Sequence, residues 1–384
     1  MKYLNLNLFK PKNLVIPDSA TKTKDFTYVE QPAIIAEADA AQYKRAIVAA
    51  RAEYIQQRSI LYDAYSTAID FDAHLKGLID RRLLNTAGRK LEYVINDEAV
   101  DGVDTLLQSP AFEKLIRDFI MSKVFWGMGL FEFDSKKYGD KEFMSYQLIP
   151  IKHVDPFMKI VRHVQYSTSQ FDTSYENLKN VIFVGDGKDF GLLQQLALIA
   201  LYKRSVMNDW ASYSQLAGTN FREVIYQGEA PDAATREQIR RTVQGVGSGT
   251  TDYSKLDMHI ETRNQTSSSQ NQLFENYIKY LDDTMTKLVL GQTMTSEDGS
   301  SRSQAEVHER TQDSIFDADA KAFIDFMNYD FYEMHQIYNI PAGGMWRFAE
   351  SGTLKQKQQI ELDIQLKQLG YLFTQEDIKQ RYGL

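Results

Sequence analysis

The chain has no cysteine among its 384 residues, which excludes a disulfide framework, a thiolate zinc site and a cysteine nucleophile. It also lacks a long apolar run. The longest, residues 192–202, is interrupted by Gln194 and Gln195 and falls far short of the roughly 20 residues a bilayer span needs. Residues 1–12 hold no apolar stretch of the kind a signal peptide carries, so the expectation is a soluble, intracellular product with no membrane partner. Positive charge is in short supply too. The formal net charge of -8 has the wrong sign for a protein that grips nucleic acid by neutralising phosphates. The six histidines are scattered and no Gly-x-Ser-x-Gly elbow occurs, so no nucleophile and base pair assembles. No catalytic residue, metal ligand or cofactor is assigned.

What is present is a composition that folds: 43% of the residues are hydrophobic and 12% aromatic, enough for a sizeable core divided into two or three sub-domains. Residues 1–31, with scattered Lys, Pro11 and Pro17, read as an extended arm. Residues 34–84 turn helical, with Leu75, Leu78, Ile79 and Leu83 at helical spacing. Short β-branched and aromatic runs at 91–95, 130–133, 143–149, 159–164 and 181–184 read as strands, and 111–123 as an amphipathic helix between the first two. The fold class is therefore α+β and helix-rich. A helix follows from 191 to about 216, stopped at Gly218. A small unit comes next, with strands at 222–226 and 258–261 and a helix at 232–243, then a helix at 270–290. A Thr/Ser/Gly-rich loop, 291–303, leads into one long helix from 302 to about 338, and two helical segments, 354–369 and 374–381, close the chain.

The long helix has two unlike halves. Phe316, Ala320, Phe323, Met327, Phe331, Met334 and Tyr338 alternate at spacings of four and three and form one apolar stripe, read as core. Glu306, Glu309, Asp313 and Asp317 share another face, although like charges at i,i+4 mildly destabilise a helix. From Arg302 to Tyr338 eight acids face three bases, a local net of -5. The row fits a solvated face, a wall that repels DNA phosphates, or carboxylates offered to Mg²⁺ or Mn²⁺, and a metal would need ligands from a second element. The pentapeptide at 308–312 begins like a zinc-protease helix, but Gln312 replaces the second His. Gly185, Gly187 and Gly191 miss the dinucleotide spacing, and a turn before a helix suffices for them.

Leu288-Val289-Leu290-Gly291-Gln292-Thr293-Met294-Thr295, followed by Ser303-Gln304-Ala305-Glu306-Val307-His308, resembles the Mu-like family of tailed-bacteriophage portal proteins. That family carries a leucine-glycine-glutamine-threonine motif, a Ser/Gly loop and a Glu-Val-His helix start. Supporting similarity lies in 72–82 with its paired Arg, in 125–132, and in Asn208-Asp209-Trp210 with Ala217-Gly218 beyond. Two departures are Thr219 and Asn220, where the family has a Pro after its Gly, and a shorter C-terminal region.

The resemblance implies the portal architecture: an N-terminal arm (1–33), an α+β wing (34–190), a first stem helix (191–218), a clip (219–262) and a second stem helix (263–290). A tunnel loop (291–303), a long wing and tunnel helix (304–340) and a reduced, helical crown region (341–384) follow. It further implies a closed ring of this chain, expected to be a dodecamer, at one capsid vertex of a virion assembled in a bacterial host's cytoplasm. The large terminase subunit, a head-tail adaptor, and major capsid and scaffold proteins would be its partners, and double-stranded DNA would pass through without sequence specificity. In that setting Gly291, Gln292, Thr293, Met294, Thr295, Ser296, Glu297 and Asp298 form the tunnel loop. Glu306, Glu309, Asp313 and Asp317 become a candidate channel-facing row. The alternatives are a metal-dependent DNA-processing enzyme using Glu306, Glu309 and Asp313, and a monomeric capsid-associated scaffold protein.

Overall fold

A computed structural model of the chain describes chiefly residues 40–52, 56–100, 110–138, 141–165, 168–218, 221–226, 258–263, 268–291 and 302–349, with short stretches elsewhere. Near the start, β1 (Thr21–Lys22) pairs antiparallel with β2 (Thr27–Tyr28). The expected helical opening resolves into α1 (Ala40–Ala50), α2 (Ser59–Phe71) and α3 (Ala73–Ala87). Asp72 separates the last two: its extended backbone ends α2, and its carboxylate accepts the Leu75 N–H at 3.0 Å to cap α3. Leu75, Leu78, Ile79, Arg82 and Thr86 then face inward at helical spacing, so α3 buries one polar stretch along with its apolar stripe.

Next come β3 (Leu91–Ile95), β4 (Glu98–Ala99) and α4 (Pro110–Ile120), then β5 (Met128–Tyr138) and β6 (Lys141–Ile149). Three short strands, β7 (Val154–Asp155), β8 (Ile160–Val161) and β9 (Thr173–Ser174), precede β10 (Val181–Gly185). The sheet β10-β5-β6 is antiparallel, with Phe131 opposite both Ile182 and Leu148. The strand expected at 159–164 shrinks to two residues. Lys159 takes a left-handed φ of 55°, and beyond Val161 the His163 N–H goes to Asp172 Oδ1 at 2.9 Å rather than to a neighbouring strand. The helix expected to reach 123 keeps its α winding only to Ile120. A π-helical turn, Met121–Trp126, then stops at Gly127, whose φ is 86°.

Gly127 belongs to a junction that explains the glycines before the next helix. Gly127, Gly185 and Gly191 all have positive φ. A Cβ on Gly185 would strike the Gly127 carbonyl oxygen, and one on Gly191 the Phe125 carbonyl oxygen. The strands cross backbone to backbone, with the Asp186 N–H on Gly127 O (3.1 Å) and the Leu192 N–H on Val124 O (3.0 Å). Only glycine permits both that approach and those angles. These glycines make a chain crossing.

Contact density divides the chain into two compact units, residues 1–197 with 286–384, and residues 198–285. The second holds most of α5 (Leu193–Gly218) and of α6 (Ser268–Leu290), with β11 (Phe221–Tyr226) and β12 (Met258–Arg263) as an antiparallel pair. Its helices are tied by Lys203–Asp282 at 2.6 Å and by the ring of Phe274, which lies 6.3 Å from Trp210 and 5.9 Å from Tyr213. Most of the helix expected at 232–243 lies outside the described residues, as does the segment 374–381.

The long helix is the main correction. The α winding of α7 covers Arg302–Asp325. A π-helical turn, Phe326–Asp330, and a 3₁₀ turn, Phe331–Gln336, take over from it. All seven stripe residues are buried as expected, and so is Phe326, which the stripe omits. Residues five apart point about 140° apart in an α-helix at roughly 100° per residue. The π-turn, closed by the Phe331 N–H on Phe326 O, brings Phe326 and Phe331 to 6.2 Å between rings. A second aromatic thereby enters the core against Phe119 at 4.9 Å. The same turn presents Asn328, whose side chain accepts the Trp346 N–H (2.7 Å) and donates to the Trp346 carbonyl (3.0 Å). Asn328 thus caps one edge of β13 (Met345–Phe348), while β3 pairs with the other edge, Trp346 opposite Tyr93. No helix among the described residues is long and apolar enough to cross a membrane.

Candidate functional site

The segment singled out by its motif is framed by two helices. α6 ends at Leu290, and Gly291, at φ 74°, returns its N–H to the Lys287 carbonyl at 2.9 Å. This is a left-handed stop that frees the chain from the helix axis. Gln292, Thr293, Met294, Thr295, Ser296, Glu297 and Asp298 lie outside the described residues. On the far side α7 begins at Arg302, and its helical backbone includes Glu306 and Glu309, whose side chains also lie outside them. Asp313 is exposed. The side chain of Asp317 is 69% exposed and meets Arg89, two residues beyond the end of α3, at 2.9 Å. One helix backbone therefore carries the whole acidic row, and its two described carboxylates face outward.

Helix α3 lies against both framing helices. His74 Nε2 is 3.0 Å from Thr286 Oγ1, near the end of α6. Arg81 donates to Gln312 Oε1 of α7 at 3.4 Å. Arg82, 7% exposed, makes a two-pronged pair with Asp319, itself 5% exposed, through Nε to Oδ2 (2.7 Å) and Nη2 to Oδ1 (2.9 Å). Its remaining arm, Nη1, donates to the Val289 carbonyl at 2.8 Å. The guanidinium also sits 5.8 Å from the Phe125 ring centroid. Charge-assisted, bidentate pairs of this kind are strong and directional, and they fix orientation as well as separation.

Sequence reasoning singled out the exposed acids and passed over the buried one. Asp319 falls outside the i, i+3, i+7 row and looked like one acid among eight. Its partner was within reach of the motif reading, since Arg81 and Arg82 are the paired Arg of the 72–82 segment. Gln312, where a zinc helix would need its second His, is buried and bonded to Arg81, a packing position. Among the described residues no group of three or more His, Asp or Glu is arranged to hold a metal ion. Nothing there gathers around Asp313 in support of a metal-dependent enzyme.

The family described as "Portal protein of Mu bacteriophage" matches residues 62–384. No curated protein matches the chain. Among solved structures, a chain of the "Virion of native gene transfer agent (GTA) particle" is similar at TM-score 0.53 and 11% identity, over 84% of this chain and 93% of that one. A chain of the "Neck of empty GTA particle" follows at TM-score 0.51 and 11% identity, covering 84% and 92%. An HK97 family phage portal protein from Corynebacterium diphtheriae is 13% identical over 76% of this chain and 96% of that one, at TM-score 0.43. The two GTA likenesses bear on the fold alone. The family match extends from α2 through the framed loop to the last residue, and this chain accordingly belongs to the family of the Mu bacteriophage portal protein.

Proposed function

We propose that copies of this portal protein close into a ring at one vertex of a phage capsid and line the channel through which double-stranded DNA is packaged and ejected. The observation that carries this reading is the family match across residues 62–384. The order of elements supports it: an α+β wing (34–190), a stem helix (191–218), a clip (219–262), a second stem helix (263–290), a tunnel loop (291–303), a long helix (304–340) and a reduced crown region (341–384). A further support is the surface of α6, where Leu273, Tyr277 and Tyr280, four and three residues apart, are all exposed. A stripe of that size in a single chain is the kind of surface that a neighbouring copy covers. Ring closure needs a heterologous interface, in which one patch meets a different patch on the next copy.

In this reading the chain catalyses nothing. A terminase docked on the clip spends ATP, a head-tail adaptor binds below, and the capsid and scaffold proteins surround the wing. The row Glu306, Glu309, Asp313 and Asp317, repeated around a ring expected to hold twelve copies, gives the channel a negative lining. Such a lining repels phosphates and holds the duplex nowhere for long. The -8 net charge of the chain agrees with weak, sliding contact rather than grip.

Electron microscopy of the purified full chain tests the assembly, with axial views expected to show a ring with a central hole. Compact monomers at every concentration, with and without capsid partners, would overturn it. A nuclease assay on the same preparation is expected to show no cleavage with or without Mg²⁺. Chelator-sensitive cleavage would restore the enzyme alternative.

A further inference from the structure

A single guanidinium touches both helices that frame the tunnel loop. Val289, whose carbonyl accepts from Arg82 Nη1, stands two residues before Gly291, in the last turn of α6. Carbonyls there lack a helical partner, and the helix dipole favours a cation beside them. The other two prongs of the same side chain are fixed to Asp319 on α7. Arg82 therefore measures the distance from the end of one helix to a set point on the other, and His74 and Arg81 of α3, with Arg89 just beyond its end, meet the same pair of helices at three further points.

A buried ion pair adds little stability over a well-packed apolar pair, because burying the charges costs about as much as their attraction returns. What it does supply is register: the fork accepts one arrangement of Asp319 and Val289, whereas apolar side chains accept several. Lysine cannot substitute, since a point charge has no fork.

We propose that Arg82 is a positioning residue, a latch that keeps the last turn of α6 and the Asp319 turn of α7 in one register. Its consequence for DNA rests on the portal reading of the loop, while the latch itself does not.

The test uses the assembled full-length protein. Lys287→Cys and Lys321→Cys, at exposed positions of α6 and α7 in a chain otherwise free of cysteine, carry nitroxide labels, with labelled chain diluted into unlabelled chain. Distances are read by pulsed electron spin resonance. With Arg82 present, one narrow distance distribution is expected. Arg82→Met combined with Asp319→Leu replaces the pair by apolar side chains. That variant is expected to fold with a modestly lower thermal midpoint, since the Val289 carbonyl loses its donor, while the narrow peak broadens or splits. A narrow peak unchanged in the double variant overturns the latch. Should that variant fail to fold, Arg82→Lys keeps the charge and drops the fork, and an unchanged peak there overturns it equally. Particles built with the double variant are then challenged for DNA retention, with loss expected. A broadened peak with full retention leaves the latch standing and removes the loop from DNA, which separates failure of the portal reading from failure of this one.

Discussion

The two halves of the segment 302–338 follow the same kind of periodicity and meet opposite fates. From Phe316 onward every stripe residue is buried, in a core where Phe119 lies 5.3 Å from Phe323 and Phe133 lies 5.2 Å from Phe331. In the earlier half Asp313 and Asp317 stand in solvent. Apolar periodicity names its own destination, because burial is what an apolar face gains from. Charge periodicity does not, because a carboxylate is stable in water, in an exposed pair or in a buried pair. Asp317 and Asp319 are two residues apart; the second goes in to pair with Arg82 of α3, while the first stays outside beside Arg89, just past the end of that helix.

Truncating the aromatic half should do the most damage. Phe331, fully buried, contacts the rings of Phe133, Phe326 and Tyr338. Phe331→Ala is expected to cost about 3–5 kcal/mol of unfolding free energy, read as a fall in denaturation midpoint at constant denaturant slope. A cost under about 1 kcal/mol would mean the 3₁₀ turn is held by its neighbours and the comparison of halves is overstated.

A pH-dependent effect in the same half comes next. Burial pushes the His335 pKa below its ordinary value, and its ring is packed among those of Tyr93, Phe331, Tyr332 and Trp346. The Trp346 indole N–H donates to its Nε2 at 3.0 Å, so that nitrogen must be unprotonated, while the buried Nδ1 finds no partner. With the folded pKa depressed, the unfolded chain binds the proton first as pH falls through about 6.5. Stability contributed by neutral His335 is therefore complete above that pH. It declines as the pH falls below it, and the decline levels off beneath the folded pKa. Urea midpoints taken across that window should slope downward toward acid, and His335→Gln should flatten the slope. An identical slope in the variant would assign the effect to another group.

Much of this was legible in the sequence, and the failures share a cause. The helices α3, α5 and α6 and the strands β3, β5, β6 and β10 follow from spacing and turn residues alone. The break after Asp325 does not, because a π-turn is adopted to bring Phe326 and Asn328 to partners elsewhere in the chain. Nor does β13: four residues are too few for a period, and what makes them a strand is Tyr93 and its neighbours on β3, distant in sequence. At the loop the motif located the segment, and Gly291 is the left-handed stop its position suggests. The residue that ties its flanks together was visible only as one of two adjacent arginines.

Smaller effects belong to the acidic half. Arg89–Asp317 is an exposed pair, and Asp317→Ala should change stability by less than about 1 kcal/mol. A larger loss would make the segment just beyond α3 a support for the row.

The smallest effect on stability should come from the change with the largest proposed effect on function. Converting Glu306, Glu309 and Asp313 to Gln, Gln and Asn removes three like charges from one helix face. Like charges at i,i+4 oppose a helix by about 0.2–0.5 kcal/mol per pair, so the midpoint should stay or rise slightly. Under the channel reading the neutralised row no longer repels phosphate, and DNA should pass more slowly through particles that assemble in normal number. Normal passage would reduce the row to a solvated helix face, and the contrast between the halves would then be one of packing alone. A fall in stability of several kcal/mol would mean Glu306 or Glu309 has a buried partner of the kind Asp319 has.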